Sequence, residues 1–166
     1  MIDTLEPRWG HMSESIGVTG CERQCFRPAT KTIGWIGTGS NMYMLKLGGT
    51  EDGRNQGWPL VDPDTNEIYL CDVPKRDVAR VTDASFEFYT TNVSSLSSYE
   101  CRQGGMGYFF RRIGPEMIKQ WLESNPKTAD LMKPLPPFSY SRQQVKQVKS
   151  SSSISTSTPL LHKKNS

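Results

Sequence analysis

Long apolar runs are missing from this 166-residue chain, and none approaches the roughly 18 residues that crossing a bilayer takes. Histidine is scarce too. His11 and His162 lie near opposite ends, which leaves a histidine-based acid, base or nucleophile system without a scaffold. The opening MIDTLEPRWGHMSES has acids where a secretory leader carries a basic and then an apolar stretch. Ile2 stands where myristoylation requires glycine. These absences point to an intracellular protein, cytoplasmic and at most peripherally associated with a membrane. Hydrophobic residues make up 35% of the chain, below the share of a fully globular protein, so part of it is expected not to fold.

The chemistry of catalysis is thin. Of the four cysteines, Cys21 and Cys25 in CERQC supply half of a metal site, but Cys71 and Cys101 stand alone and no second half exists. Without a leader the thiols are expected to be reduced. The segment Ile36 to Asn41, IGTGSN, resembles a phosphate-cradling loop, yet it lacks the lysine and precedes a strand rather than a helix. Paired acids occur as Asp62-x-Asp64 and as Asp72 with Asp77, all within expected turns, where acids are common. The expectation is a protein without enzymatic activity, metal or other cofactor.

Charge divides the chain. Residues 1–125 carry 13 Lys and Arg against 16 Asp and Glu, whereas residues 126–166 carry seven against Asp130 alone. The second part includes LMKPLPPFSY and SSSSISTSTP, which bury too little apolar surface to offset the entropy of ordering. Residues 126–166 are therefore expected to be a disordered basic tail. Its dispersed charges suit a weak, salt-sensitive contact with an anionic membrane or with nucleic acid. A Pro-x-x-Pro from Pro134 to Pro137 has no basic flank at the spacing an SH3-type groove uses.

Residues 1–30 show no periodicity and read as an irregular arm. From residue 31 to 125 the pattern reads mainly as strands. Short apolar runs at TIGWI and MYMLKL end in glycines, and GWPLV meets EIYLCDV across the turn DPDTN. VARV and SFEFYT follow; the second places Phe86 and Phe88 on one face by alternation. GYFFRRI reads as a strand near a sheet centre. Only PEMIKQWLES, residues 115–124, reads as a helix. Pro115 suits the first turn, Met117, Ile118, Trp121 and Leu122 form one stripe, and Asn125-Pro126 stops it.

Strands followed by one helix over residues 33–124 resemble the phosphotyrosine-binding domain of the insulin receptor substrate and docking-protein adaptors. The likeness rests on YLCDVPKR with its basic pair, on the Phe-x-Phe of SFEF, on Gly105, Gly107 and Phe109 in CRQGGMGYFF, and on the final helix. The resemblance implies a pleckstrin-homology-like fold, a curved antiparallel sheet or barrel capped by the C-terminal helix. It further implies an adaptor that binds tyrosine-containing, phosphorylated peptides of a receptor or signalling partner. The peptide would add as a strand between the sheet edge and the helix, with Met117 and Ile118 lining the groove. Lys75, Arg76, Arg80 and Arg102 would meet the phosphate, where guanidinium forks pair bidentately. Arg102 is displaced relative to the family pattern, so a relative that binds unphosphorylated peptide has the same appearance. The reading from another class is a viral or structural assembly protein, whose β domain packs on its own copies while the basic tail touches nucleic acid.

Overall fold

The computed structural model describes residues 1–95 and 104–134. Its fold is mixed α/β, with an open six-stranded sheet and several helices. The strands are β1 (Ile16–Thr19), β2 (Ile33–Gly39), β3 (Met42–Leu47), β4 (Trp58–Val61), β5 (Ile68–Tyr69) and β6 (Val73–Pro74). They lie in the order β1-β2-β3-β4-β5, with β6 joined to β3 beyond the end of β4. β1 runs parallel to β2, and every other pairing is antiparallel. Among the described residues the α-helices are α1 (Ile2–Trp9), α2 (Val78–Asn92), α3 (Gly105–Ile113) and α4 (Pro115–Ser124).

The core joins the sheet to the last three helices. Ile33, Trp35, Leu45 and Leu47 pack with Val81, Phe88, Phe109, Phe110, Ile118 and Leu122, all buried. Trp35 Nε1 donates to the Thr82 hydroxyl at 3.0 Å, so the one polar atom of a fully buried indole is satisfied from α2. Strands β2 to β5 and helix α4 stand where the periodicity expects them.

Three expected strands are helical, and the sheet does not close into a barrel capped by a single helix. VARV and SFEFYT are one continuous helix, α2. Over 15 residues its buried positions Val78, Val81, Ser85 and Phe88 repeat every three or four residues, which is the helical period. Cut in two, each half is too short to show it. The alternation at Phe86 and Phe88 has another cause: α2 is buried on two sides. Phe86 stacks on Trp9 of α1 at 5.4 Å, while Phe88 meets Phe109, Phe110 and Trp121. Thr82 and Ser85 donate to the carbonyls of Val78 and Val81, so their hydroxyls stay within the helix.

The segment GMGYFFRRI is α3, with Met106, Phe109 and Phe110 buried and Tyr108 partly exposed. Gly107 is there for contact: a Cβ at that position would stand 2.4 Å from the Gly49 carbonyl. Residues 1–30 hold α1 and β1 rather than irregular chain. Residues 126–134 pack on the domain. Thr128 is fully buried, its hydroxyl donating to the Leu122 carbonyl at 2.6 Å, and Met132 joins the core. The rest of the expected tail, 135–166, lies outside the described residues.

Candidate functional site

Of the residues that sequence grouped as a phosphate site, Lys75 and Arg76 are exposed and Arg80 is tied up in ion pairs. Lys75 and Arg76 occupy a single 3-10 turn that leads into α2, and the Lys75 N–H donates to the Asn41 carbonyl at 2.8 Å. Both line an open cleft of about 590 Å³ with Met1, Thr4, Ser40 and Asn41, and no carboxylate lines it. Arg76 is highly exposed, with only a loose 3.6 Å approach to Asp77. Arg80 is committed elsewhere. It grips Asp130 with two hydrogen bonds of 2.9 and 3.0 Å and also bonds Asp77, which leaves no fork for a ligand. Asp130 foremost holds the Arg80 guanidinium above its ordinary pKa. Arg102 lies outside the described residues.

The expected groove residues do not share a surface. Ile118 is buried in the core, whereas Met117 is 51% exposed on α4. Ile118 seals the domain, and a peptide cannot reach it.

An open apolar groove lies at the other end of the chain. β1 ends the sheet, with β2 on one side and no strand on the other among the described residues. The Ile33 N–H donates to the Ser15 carbonyl at 3.2 Å, and Ile16 pairs with Ile33. Parallel ladders use alternate residues of a strand, so Ser15, Gly17 and Thr19 bond β2 while the N–H and C=O of Ile16 and Val18 face the open edge. The side chains of Ile16 and Val18 line an apolar groove of about 410 Å³ with Met1, Ile2, Leu5 and Trp9 of the α1 segment. Met1, Ile2 and Val18 are exposed, so the groove is open to solvent.

Helix α1 is held firmly as the groove wall. Arg8 bonds Asp83 at 3.0 Å and Glu87 at 2.7 Å, and Trp9 Nε1 donates to Asp83 at 2.7 Å. Lys127 reaches the same two carboxylates at 2.5 Å. Burial works to raise the Asp83 carboxyl, but Lys127, Trp9 and Arg8 outweigh it and hold the group below its ordinary value. Glu14 fixes the start of the strand: it accepts the Met106 N–H at 2.8 Å and the Thr32 hydroxyl at 2.9 Å. Met1 lines both the groove and the Lys75–Arg76 cleft, so the two openings adjoin along α1. Sequence reasoning missed this edge because IGVT is four residues long and lies within a segment that shows no alternation.

No family model matches the chain. A 75-residue stretch, 45% of the chain, is 32% identical to the sulfite reductase [NADPH] hemoprotein beta-component of Methylobacterium nodulans. That likeness takes in 11% of the relative's length. Among the described residues no helix is long and apolar enough to cross a membrane, and no three His, Cys, Asp or Glu side chains converge as a metal site. The fold and its open edge define a small α/β domain with an exposed apolar groove.

Proposed function

We propose that this protein is a binding module of the adaptor type, which captures an extended peptide of a signalling partner by adding it as a strand to β1. The observation that carries the reading is the unpaired edge of β1, whose outward Ile16 and Val18 face an apolar groove walled by α1. Main-chain hydrogen bonds to the edge supply affinity that does not depend on peptide sequence, and side chains at alternate positions enter the groove and supply selectivity. The mechanism is the strand addition that the sequence suggested, with α1 taking the part first given to α4.

The peptide proposed is tyrosine-containing, with apolar or aromatic residues at alternate positions. Beyond Met1 the lining turns cationic at Lys75 and Arg76. A phosphorylated tyrosine placed there would find Lys75, Arg76 with its loose approach to Asp77, and the hydroxyls of Thr4 and Ser40. Arg76 supplies the bidentate fork and Lys75 a point charge.

The sulfite reductase likeness brings a haem-based reading into view, and the donor set does not fit it. Haem iron is held by a His, Cys or Tyr, or by a His paired with Met, and no Tyr lines the groove or the cationic cleft. Among the described residues His11, Cys21 and Cys25 lie on the surface and Cys71 in the interior, and none lines the groove or the cationic cleft.

Fluorescence anisotropy of tyrosine peptides, phosphorylated and not, on the full chain tests the proposal. Binding is expected to fall at least about tenfold in Val18→Lys, because a charge on an edge strand opposes strand pairing. The phosphorylated peptide should lose its advantage in the Lys75→Ala, Arg76→Ala double variant. Peptide binding that Val18→Lys leaves intact would sink the edge as the site. Self-association that Val18→Lys abolishes, with no peptide binding, would turn the same edge into an assembly surface.

A further inference from the structure

The loop after β1 carries two side chains that the peptide site does not use. Cys21 Sγ and Cys25 Sγ stand 3.7 Å apart, and both residues are exposed. Three intervening residues bring sulfurs this close only where the chain folds back. Here Gln24 adopts a left-handed φ of 54°, uncommon for a residue with a side chain, and its N–H donates to the Cys21 carbonyl at 3.3 Å. The loop is shaped so that the sulfurs meet. A disulfide bond is about 2.05 Å long, so the two sulfurs need to approach by roughly 1.7 Å.

We propose that Cys21 and Cys25 form a redox-active dithiol that reduces a small peroxide and closes to a disulfide, an activity independent of the peptide-binding reading. Cys21 is the attacking sulfur. The Thr19 hydroxyl foremost, at 3.9 Å, then the Cys25 thiol and the Arg23 N–H, favour its thiolate and hold its pKa below that of an ordinary thiol. Its hydrogen-bond partner Cys21 foremost pushes the Cys25 thiol the other way. The thiolate is the nucleophile in sulfur chemistry, so this split assigns one attacking and one resolving cysteine.

In the first step the Cys21 thiolate attacks a peroxide oxygen. The S–O bond forms, the O–O bond breaks, and the departing hydroxide takes a proton to become water; sulfur is oxidised to the sulfenic acid and the peroxide is reduced. In the second step the Cys25 thiol loses its proton and attacks the Cys21 sulfur. The S–S bond forms, the S–O bond breaks, and hydroxide leaves with that proton as a second water. Two thiols and one hydrogen peroxide give one disulfide and two waters. Cys71 is the internal control: it is buried, and burial foremost, then Asp72, pushes its thiol up to about 11.

The test uses the full chain with Cys101→Ser, oxidised with equimolar hydrogen peroxide and mapped by mass spectrometry. The expected product is a Cys21–Cys25 disulfide with Cys71 still reduced. In Cys25→Ser, dimedone should trap a sulfenic acid on Cys21. In Cys21→Ser, iodoacetamide should label Cys25 at least about tenfold more slowly than it labels Cys21 in Cys25→Ser at neutral pH. A disulfide to Cys71, equal labelling of the two thiols, or oxidation no faster than that of free cysteine would overturn the assignment.

Discussion

The carboxylate of Glu14 caps a helix that begins 91 residues further along the chain. Its Oε1 accepts the Met106 N–H at 2.8 Å, and its Oε2 accepts the Thr32 hydroxyl at 2.9 Å. Helix α3 starts at glycines and has no side-chain cap of its own, so Glu14 satisfies a donor that would otherwise be orphaned. It also ties the residues that lead into β1 to the core. Glu14→Ala is expected to lower the free energy of unfolding by about 1–2 kcal/mol, with Glu14→Gln losing less because one acceptor survives. Urea titration of both variants measures this, and an unchanged midpoint for Glu14→Ala would show that the cap contributes nothing.

Thr82 links α2 to the sheet through a buried pair. Its hydroxyl accepts from Trp35 Nε1 at 3.0 Å and donates to the Val78 carbonyl at 2.8 Å. Thr82→Val keeps the shape and removes the acceptor, leaving a buried indole N–H unpaired. That should cost about 1–3 kcal/mol, while Thr82→Ser keeps the bond and loses only a methyl, worth about 0.8 kcal/mol. Thermal denaturation should rank Thr82→Val below Thr82→Ser. The reverse order would mean that methyl packing outweighs the hydrogen bond at this site.

Acid should find a weak point between α4 and the β4–β5 hairpin. Asp62 Oδ2 meets Lys119 Nζ at 2.6 Å, and Oδ1 accepts the N–H groups of Asp64 and Thr65. Lys119 foremost, then those N–H groups, bring the Asp62 carboxyl down to about 2 from an ordinary 3.8. The folded carboxyl thus binds its proton less tightly than the unfolded one. Its contribution to stability is complete above the unfolded value and is lost as pH falls through 3.8 toward about 2. Over that window the urea midpoint of the native protein should descend more steeply than that of Asp62→Asn. Parallel descents would assign acid sensitivity to other groups.

Gly49 and Gly107 show which parts of the fold could be read from the chain and which could not. Strands β2 to β5 and helix α4 were legible because each has its own local period. Helices α2 and α3 were not, because α2 is buried on two sides and α3 carries glycines for a reason no local pattern contains. A Cβ on Gly107 would stand 2.4 Å from the Gly49 carbonyl, and one on Gly49 would stand 2.3 Å from the Ala29 carbonyl. The same holds at the candidate site. Lys75 and Arg76 were visible as a basic pair, but nothing near Arg80 announces Asp130, fifty residues on, as its partner. Replacing either Gly49 or Gly107 by alanine forces backbone to move and should cost about 1–3 kcal/mol. Alanine variants as stable as the native protein in urea would show that α3 does not press against this loop.

Proline scanning of β1 separates the sheet-facing from the ligand-facing backbone. By the ladder alternation the Thr19 N–H belongs to the β1–β2 pairing, whereas the Val18 N–H points to the open edge. Proline is tolerated on edge strands where the missing donor faces solvent, and it breaks a ladder where the donor is used. The residue before Val18 is Gly17, which accepts the extended conformation that a following proline imposes. Val18→Pro should therefore fold with near-native stability yet lose peptide binding, since the donor offered to an incoming strand is gone. Thr19→Pro should lose stability directly, because it removes a bond within the sheet. Circular dichroism and urea titration of the two variants, with anisotropy on whichever folds, decide the matter. If Val18→Pro unfolds while Thr19→Pro is tolerated, the strand faces the other way and the proposed edge has no free donor at Val18.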